Sequence, residues 1–137
     1  MTAAARYRAA CAALRLPVWR PGMRTGSKFE RVVTVDTDTG DPACAEAGAT
    51  EDDCACVWMP CDAVEPDFTD PATVGVLLAA VREAWACPTL SAAWCFVPHQ
   101  GGDWFVPRIP ADAYGETEAD ALIAAIEAAA ARRGGQP

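Results

Sequence analysis

Asp70-Pro71-Ala72-Thr73-Val74-Gly75-Val76-Leu77-Leu78-Ala79-Ala80-Val81-Arg82-Glu83-Ala84-Trp85 is the most apolar long segment of the chain and reads as one helix with both ends marked. Asp70 caps the first free N–H groups, and Pro71 at the first helical position loses no hydrogen bond there. Val74, Leu77, Leu78, Val81 and Trp85 recur at helical spacing and make one wide apolar stripe. Ala72, Val76, Ala79 and Ala80 make the opposite side hardly more polar, so only Arg82 and Glu83 read as solvent-facing. A helix apolar nearly all round is covered on more than one side, which predicts a central core helix. Gly75 in its interior costs about 1 kcal/mol relative to alanine, a cost that predicts close approach of another backbone. Pro88 lies beyond the end. The segment is too short to span a bilayer, and charges interrupt it.

Outward from this helix, the 137 residues set a prior of one domain, residues 1–137. Thr2 to Leu16 reads as a first helix, with Tyr7, Ala10, Cys11 and Leu14 on one face and Pro17 after it. Leu16 to Met23 is an extended entry with a Pro21-Gly22 turn. Phe29 to Val35 alternates as a strand, and residues 40–54 form an acidic, cysteine-containing loop. Ala55 to Met59 is a short strand able to pair with 29–35, and Cys61 to Thr69 is an acidic linker. Beyond the helix, 92–97 and 104–109 read as two strands joined by a hairpin loop over 98–103, with Pro107 marking an edge or a bulge. Glu118 to Arg133 is a last helix, opened by Thr117 with Asp120 and closed by Arg132 and Arg133; Leu122, Ile123, Ile126 and Ala129 form its buried face. Residues 134–137 fray. The expected fold is α+β: a small antiparallel sheet with a central buried helix and N- and C-terminal helices packed on it.

Two of these segments carry a resemblance. Phe68 to Trp85 and Tyr114 to Ala129, in the order helix, Trp-containing strand, strand, Ala-rich helix, resemble small proteins of tailed phages and prophages. The pattern is similar to the phage ABA sandwich domain family over residues 68–131. The resemblance implies a small α+β domain with helices on a sheet, and it implies no catalytic residues.

The net charge of −8, from 19 acidic and 11 basic side chains, argues against direct nucleic-acid binding and fits a basic protein partner. The N-terminal residues lack the continuous apolar run of a secretory signal, so the seven cysteines are expected as reduced thiols in a cytoplasmic protein. Cys44, Cys54, Cys56 and Cys61 are the candidate metal set, since soft thiolates in fours suit zinc. Their C-x9-C-x-C-x4-C spacing lacks the C-x2-C knuckle, and C-x-C on a strand points its sulfurs to opposite faces. The expectation is therefore no cofactor, with zinc as the alternative. Asp36-Thr37-Asp38-Thr39-Gly40-Asp41 has the beginning of a calcium loop, but Ala47 stands where the twelfth-position glutamate belongs.

His99, the sole histidine, lies between Cys95 and Asp103, yet nothing beside it supplies an oxyanion site, and a solvated loop histidine is the plainer reading. No catalytic motif emerges. Five tryptophans remain: Trp85, Trp94 and Trp104 suit the core or its rim, whereas Trp19 and Trp58 beside proline-bounded turns suit a partly exposed interface. With Asp52, Asp53, Asp62 and Glu65 they make up the expected contact surface. The expected function is non-enzymatic: a small acidic phage-like accessory protein that binds a host or phage macromolecule, with inhibition of a host defence as one use of that binding. The alternative is a metal- or small-ligand-binding module using Cys44–Cys61.

Overall fold

A computed structural model describes residues 2–24, 33–35, 42–44, 66–97 and 101–134. Three helices and two antiparallel sheets occur among them, which makes the fold α+β. The elements in chain order are α1 (Ala3–Leu14), β1 (Val33–Val35), β2 (Pro42–Cys44), α2 (Pro71–Ala84), β3 (Ala93–Val97), β4 (Gly101–Phe105), β5 (Tyr114–Gly115) and α3 (Glu118–Gly134). The chain divides into two compact units. One comprises Met1–Val18 and Leu77–Pro137, the other Trp19–Val76.

The first unit is built on α3. Ala119, Ala121, Leu122, Ile123, Ala125, Ile126 and Ala129 are all buried, the largest covered set on any described helix. α3 packs against α1 on one side and against β4 and β5 on another. Alanines at the contacts let the backbones come close, while Leu122, Ile123 and Ile126 fill the core. Thr117 caps α3, accepting from the Asp120 N–H at 3.1 Å, as the Thr117–Asp120 pattern predicts. Tyr7, Ala10, Cys11 and Leu14 are buried on α1, and the Tyr7 hydroxyl donates to the Val18 carbonyl at 2.7 Å. Arg6 on α1 pairs with Glu127 on α3 through a two-nitrogen contact to Oε1.

Strand order in the larger sheet is β3-β4-β5, with Trp94 opposite Trp104 and Phe105 opposite Tyr114. The β3 strand falls where the alternation predicts it, but β4 does not span 104–109. Its ladder starts at Gly101 and ends at Phe105, so Gly101-Gly102-Asp103 are strand rather than loop. The Trp94–Trp104 register draws the glycines into the ladder, and Arg108, with φ of 70°, turns the chain after Pro107. Val106 then donates to the Ala113 carbonyl at 3.0 Å, leading into β5.

The second unit holds the β1–β2 pair, with Val33 opposite Cys44 and Val35 opposite Pro42. Residues 42–44 are thus strand, not part of a loop over 40–54, and they are the described partner of β1. The 55–59 segment lies outside the described residues. In the same unit the Asp67 N–H donates to the Arg24 carbonyl at 2.8 Å, and the Arg24 N–H donates to the fully buried Thr73 hydroxyl at 2.9 Å. Gly22 takes the positive φ of 94° that the Pro21-Gly22 turn requires.

α2 begins as its sequence predicts: the Asp70 carboxylate accepts from the N–H groups of Ala72 and Thr73. Its burial pattern does not follow the prediction. Thr73, Leu77, Ala80 and Val81 are buried, Val74 and Leu78 are half-buried, and Ala72, Gly75 and Ala79 are exposed. Alanine is small enough to sit on either side at little cost, so a helix that reads as apolar all round is in fact one-sided. Gly75 faces open space, with nothing within 4 Å of an added Cβ. The backbone contact occurs instead at Gly115, where a Cβ would sit 2.4 Å from the Asp120 Cβ and 2.6 Å from the Ala121 nitrogen.

These two glycines respond oppositely to the same change. Gly75→Ala stabilises the fold by about 0.4–1 kcal/mol, because an exposed helical glycine only adds unfolded-state entropy. Gly115→Ala destabilises by about 1–3 kcal/mol or more, because rigid backbone has to move. Urea unfolding of the two variants beside the parent measures both.

Candidate functional site

The largest open apolar side chains among the described residues lie on one sheet. Trp94 is 55% exposed, Phe96 63% and Tyr114 58%. Register fixes their faces. Trp94, Phe96, Trp104 and Gly115 share one face, and Cys95, Asp103, Phe105 and Tyr114 share the other. Each face carries an aromatic pair: Trp94 with Phe96 at 6.1 Å between ring centroids, and Phe105 stacked with Tyr114 at 6.0 Å.

The cause of this exposure is the placement of α3. It lies over β5 and β4, on the face where Gly115 meets Asp120, and β3 is the strand furthest from it in the order. Gly102, opposite Phe96, has no side chain to cover that ring. Among the described residues β3 is also an edge of its sheet, with β4 its one ladder partner. Residues 93–120 contain Asp103, Asp112, Glu116, Glu118 and Asp120 against Arg108 alone, so this stretch of the sequence is acidic.

Comparison with family models, curated proteins and solved structures finds no match to this chain. The site therefore stands on its own geometry.

Several residues expected at a site lie elsewhere. Trp19 is only 4% exposed, so it is a core residue and not an open interface anchor. Its turn-flanked position says nothing about how far the rest of the chain covers it. Cys44 is in β2. Trp58, Asp52, Asp53, Asp62, Glu65, Cys54, Cys56, Cys61 and His99 fall outside the described residues. Among the described residues no group of three or more His, Cys, Asp or Glu could hold a metal ion. Cys95 is exposed on β3, opposite Asp103. Trp94 and Phe96 have one signal in the sequence: aromatic residues alternate in a short strand followed by a glycine pair. That pattern does not reveal which rings α3 leaves uncovered.

A second reactive feature is Cys87, just past α2. Ala86 takes φ of 51° and Cys87 donates its N–H to the Arg82 carbonyl, a left-handed helix end. The thiol lies 3.6 Å from the Thr89 hydroxyl, and that hydrogen bond, with further help from backbone N–H groups and Arg108, lowers its pKa. The depressed value means the thiolate persists to lower pH than at an ordinary cysteine. Cys87 is accordingly alkylated by iodoacetamide ahead of Cys95 near neutral pH, followed by peptide mass spectrometry, and Thr89→Ala removes part of that advantage by moving the reactivity profile to higher pH.

Proposed function

We propose that the chain is a small acidic binding protein whose partner adds an extended, basic polypeptide segment to the free edge of β3. The observation that carries the proposal is the exposure of Trp94 and Phe96 on an edge strand inside an acidic stretch. Edge strands recruit a new strand through main-chain hydrogen bonds, and alternate side chains supply specificity. An added segment alternating apolar with basic residues meets both faces at once. Its apolar side chains cover Trp94 and Phe96, and its arginines or lysines reach across Cys95 toward Asp103. Net charge steers a basic partner in and disfavours a second copy of the chain.

The resemblance to phage accessory proteins supplies a setting. There the partner is a host or phage protein, met in the host cytoplasm. A basic surface evolved to meet nucleic acid is the type of target an acidic chain can occupy, and occupancy of a defence protein would inhibit it. Among the described residues no helix is long and apolar enough to cross a membrane.

The test uses two synthetic peptides, one alternating valine with arginine and one alternating valine with glutamate. The arginine peptide moves the Trp94 indole N–H resonance in a saturable way and slows amide exchange along β3; the glutamate peptide does neither. Trp94→Ala weakens binding by about tenfold or more, the loss typical of a buried aromatic anchor. Equal response to both peptides, no response to either, or sedimentation showing a dimer that buries β3 overturns the proposal.

A further inference from the structure

The opposite end of α3 carries a different feature. Trp85 follows the last residue of α2, Arg132 and Arg133 lie in the last turn of α3, and together with Ala84, Ala86 and Ala129 they line a cleft of about 320 Å³. That volume lies in the range of small-molecule sites. The indole N–H of Trp85 donates to the Ala125 carbonyl at 2.9 Å, which fixes the ring. The Arg132 guanidinium lies 5.8 Å from the centre of that ring, a cation–π placement that holds it without neutralising it. Arg133 donates from Nη1 to the Leu14 carbonyl at 3.4 Å, one of the five N–H donors of its guanidinium.

We propose that this cleft binds a small organic oxyanion, a phosphate or carboxylate attached to a planar ring. Charge favours it: among the described residues no carboxylate lines the cleft or pairs with either arginine. Last-turn arginines ordinarily offset the helix dipole. Here two full positive charges face the ends of α2, α3 and, through Leu14, α1, each worth roughly half a negative charge, so the cleft remains net positive. Shape favours it as well. The alanines leave room beside the indole for a flat group, while the planar forks of Arg132 and Arg133 suit an oxyanion bound through paired N–H donors. In a chain of net charge −8, a positive cleft lined by a pinned aromatic ring is a local reversal of the surface sign.

Phenyl phosphate, benzoate, inorganic phosphate and benzyl alcohol are titrated separately into the full chain, reading the Trp85 indole N–H resonance, assigned with Trp85→Phe. The two ring-bearing anions give saturable shifts, inorganic phosphate binds more weakly, and benzyl alcohol gives none. Arg132→Gln and Arg133→Gln each weaken the ring-bearing anions by about tenfold or more, as loss of a charge-assisted hydrogen bond requires, while leaving the Trp94 resonance and its peptide response unchanged. Lack of saturation, indifference to both arginine changes in folded variants, or equal binding of inorganic phosphate overturns the proposal. Because the readout is Trp85 and not Trp94, failure here is separable from failure of peptide docking on β3.

Discussion

Burial of one face of α3 is the constraint on which the first unit depends. Leu122, Ile123 and Ile126 are fully enclosed, and the alanines at 119, 121, 125 and 129 allow α1, β4 and β5 to approach the helix axis. Each large side chain in that set is worth about 2–5 kcal/mol against truncation, a sizeable part of the 5–15 kcal/mol that holds a typical domain together. The polar contacts around it are secondary. The Arg6–Glu127 pair is partly exposed, so solvent screens it. The Tyr7 hydroxyl bond to Val18 satisfies a buried group more than it adds stability. Packing of α3 decides the architecture, and these bonds set the angle and register of the elements it gathers.

That same packing creates the open surface. A single helix covers a limited width, and α3 is committed to β4 and β5 by its backbone contact at Gly115. Among the described residues β3 is left as an edge strand with Trp94 and Phe96 exposed, while Phe105 and Tyr114 form a second pair on the reverse face. Natural proteins blunt such edges with charge, proline or a covering element. Nothing of that kind lies within Ala93–Phe96, where four apolar residues run in succession. The proposed docking of a basic segment rests on these exposed aromatic rings in an acidic chain. The arginine-lined cleft lies at the C-terminal end of the same helix.

Local chemistry made much of the secondary structure legible. Asp70 and Thr117 each cap the helix that follows and accept from backbone N–H groups within the first turn, and Thr2, read as helical, proves to be a third such cap. Capping is settled within a few residues, so it can be read without the fold. The environment of alanine cannot: Ala80 is buried and Ala79 exposed, although nothing in their identity separates them. For the same reason α2 reads as the central helix, whereas α3, with charges at both ends and an Ala-rich middle, proves the most enclosed. The start of β4 at Gly101 comes from pairing with β3, a tertiary influence that overrides the turn preference of a glycine pair. Trp19 shows the limit most plainly, since its burial depends on a cover that no neighbouring residue announces. The aromatic site was visible as residue types and invisible as a surface.

Amide hydrogen exchange of the dilute chain tests whether α3 is the element on which the first unit depends, because it ranks the elements by how firmly each is held. The slowest amides are expected in α3 around Leu122–Ile126, with the outward amides of β3 exchanging far faster than those paired with β4. Protection concentrated in α2, or β3 outward amides as slow as those of α3 in the absence of any partner, would contradict this expectation.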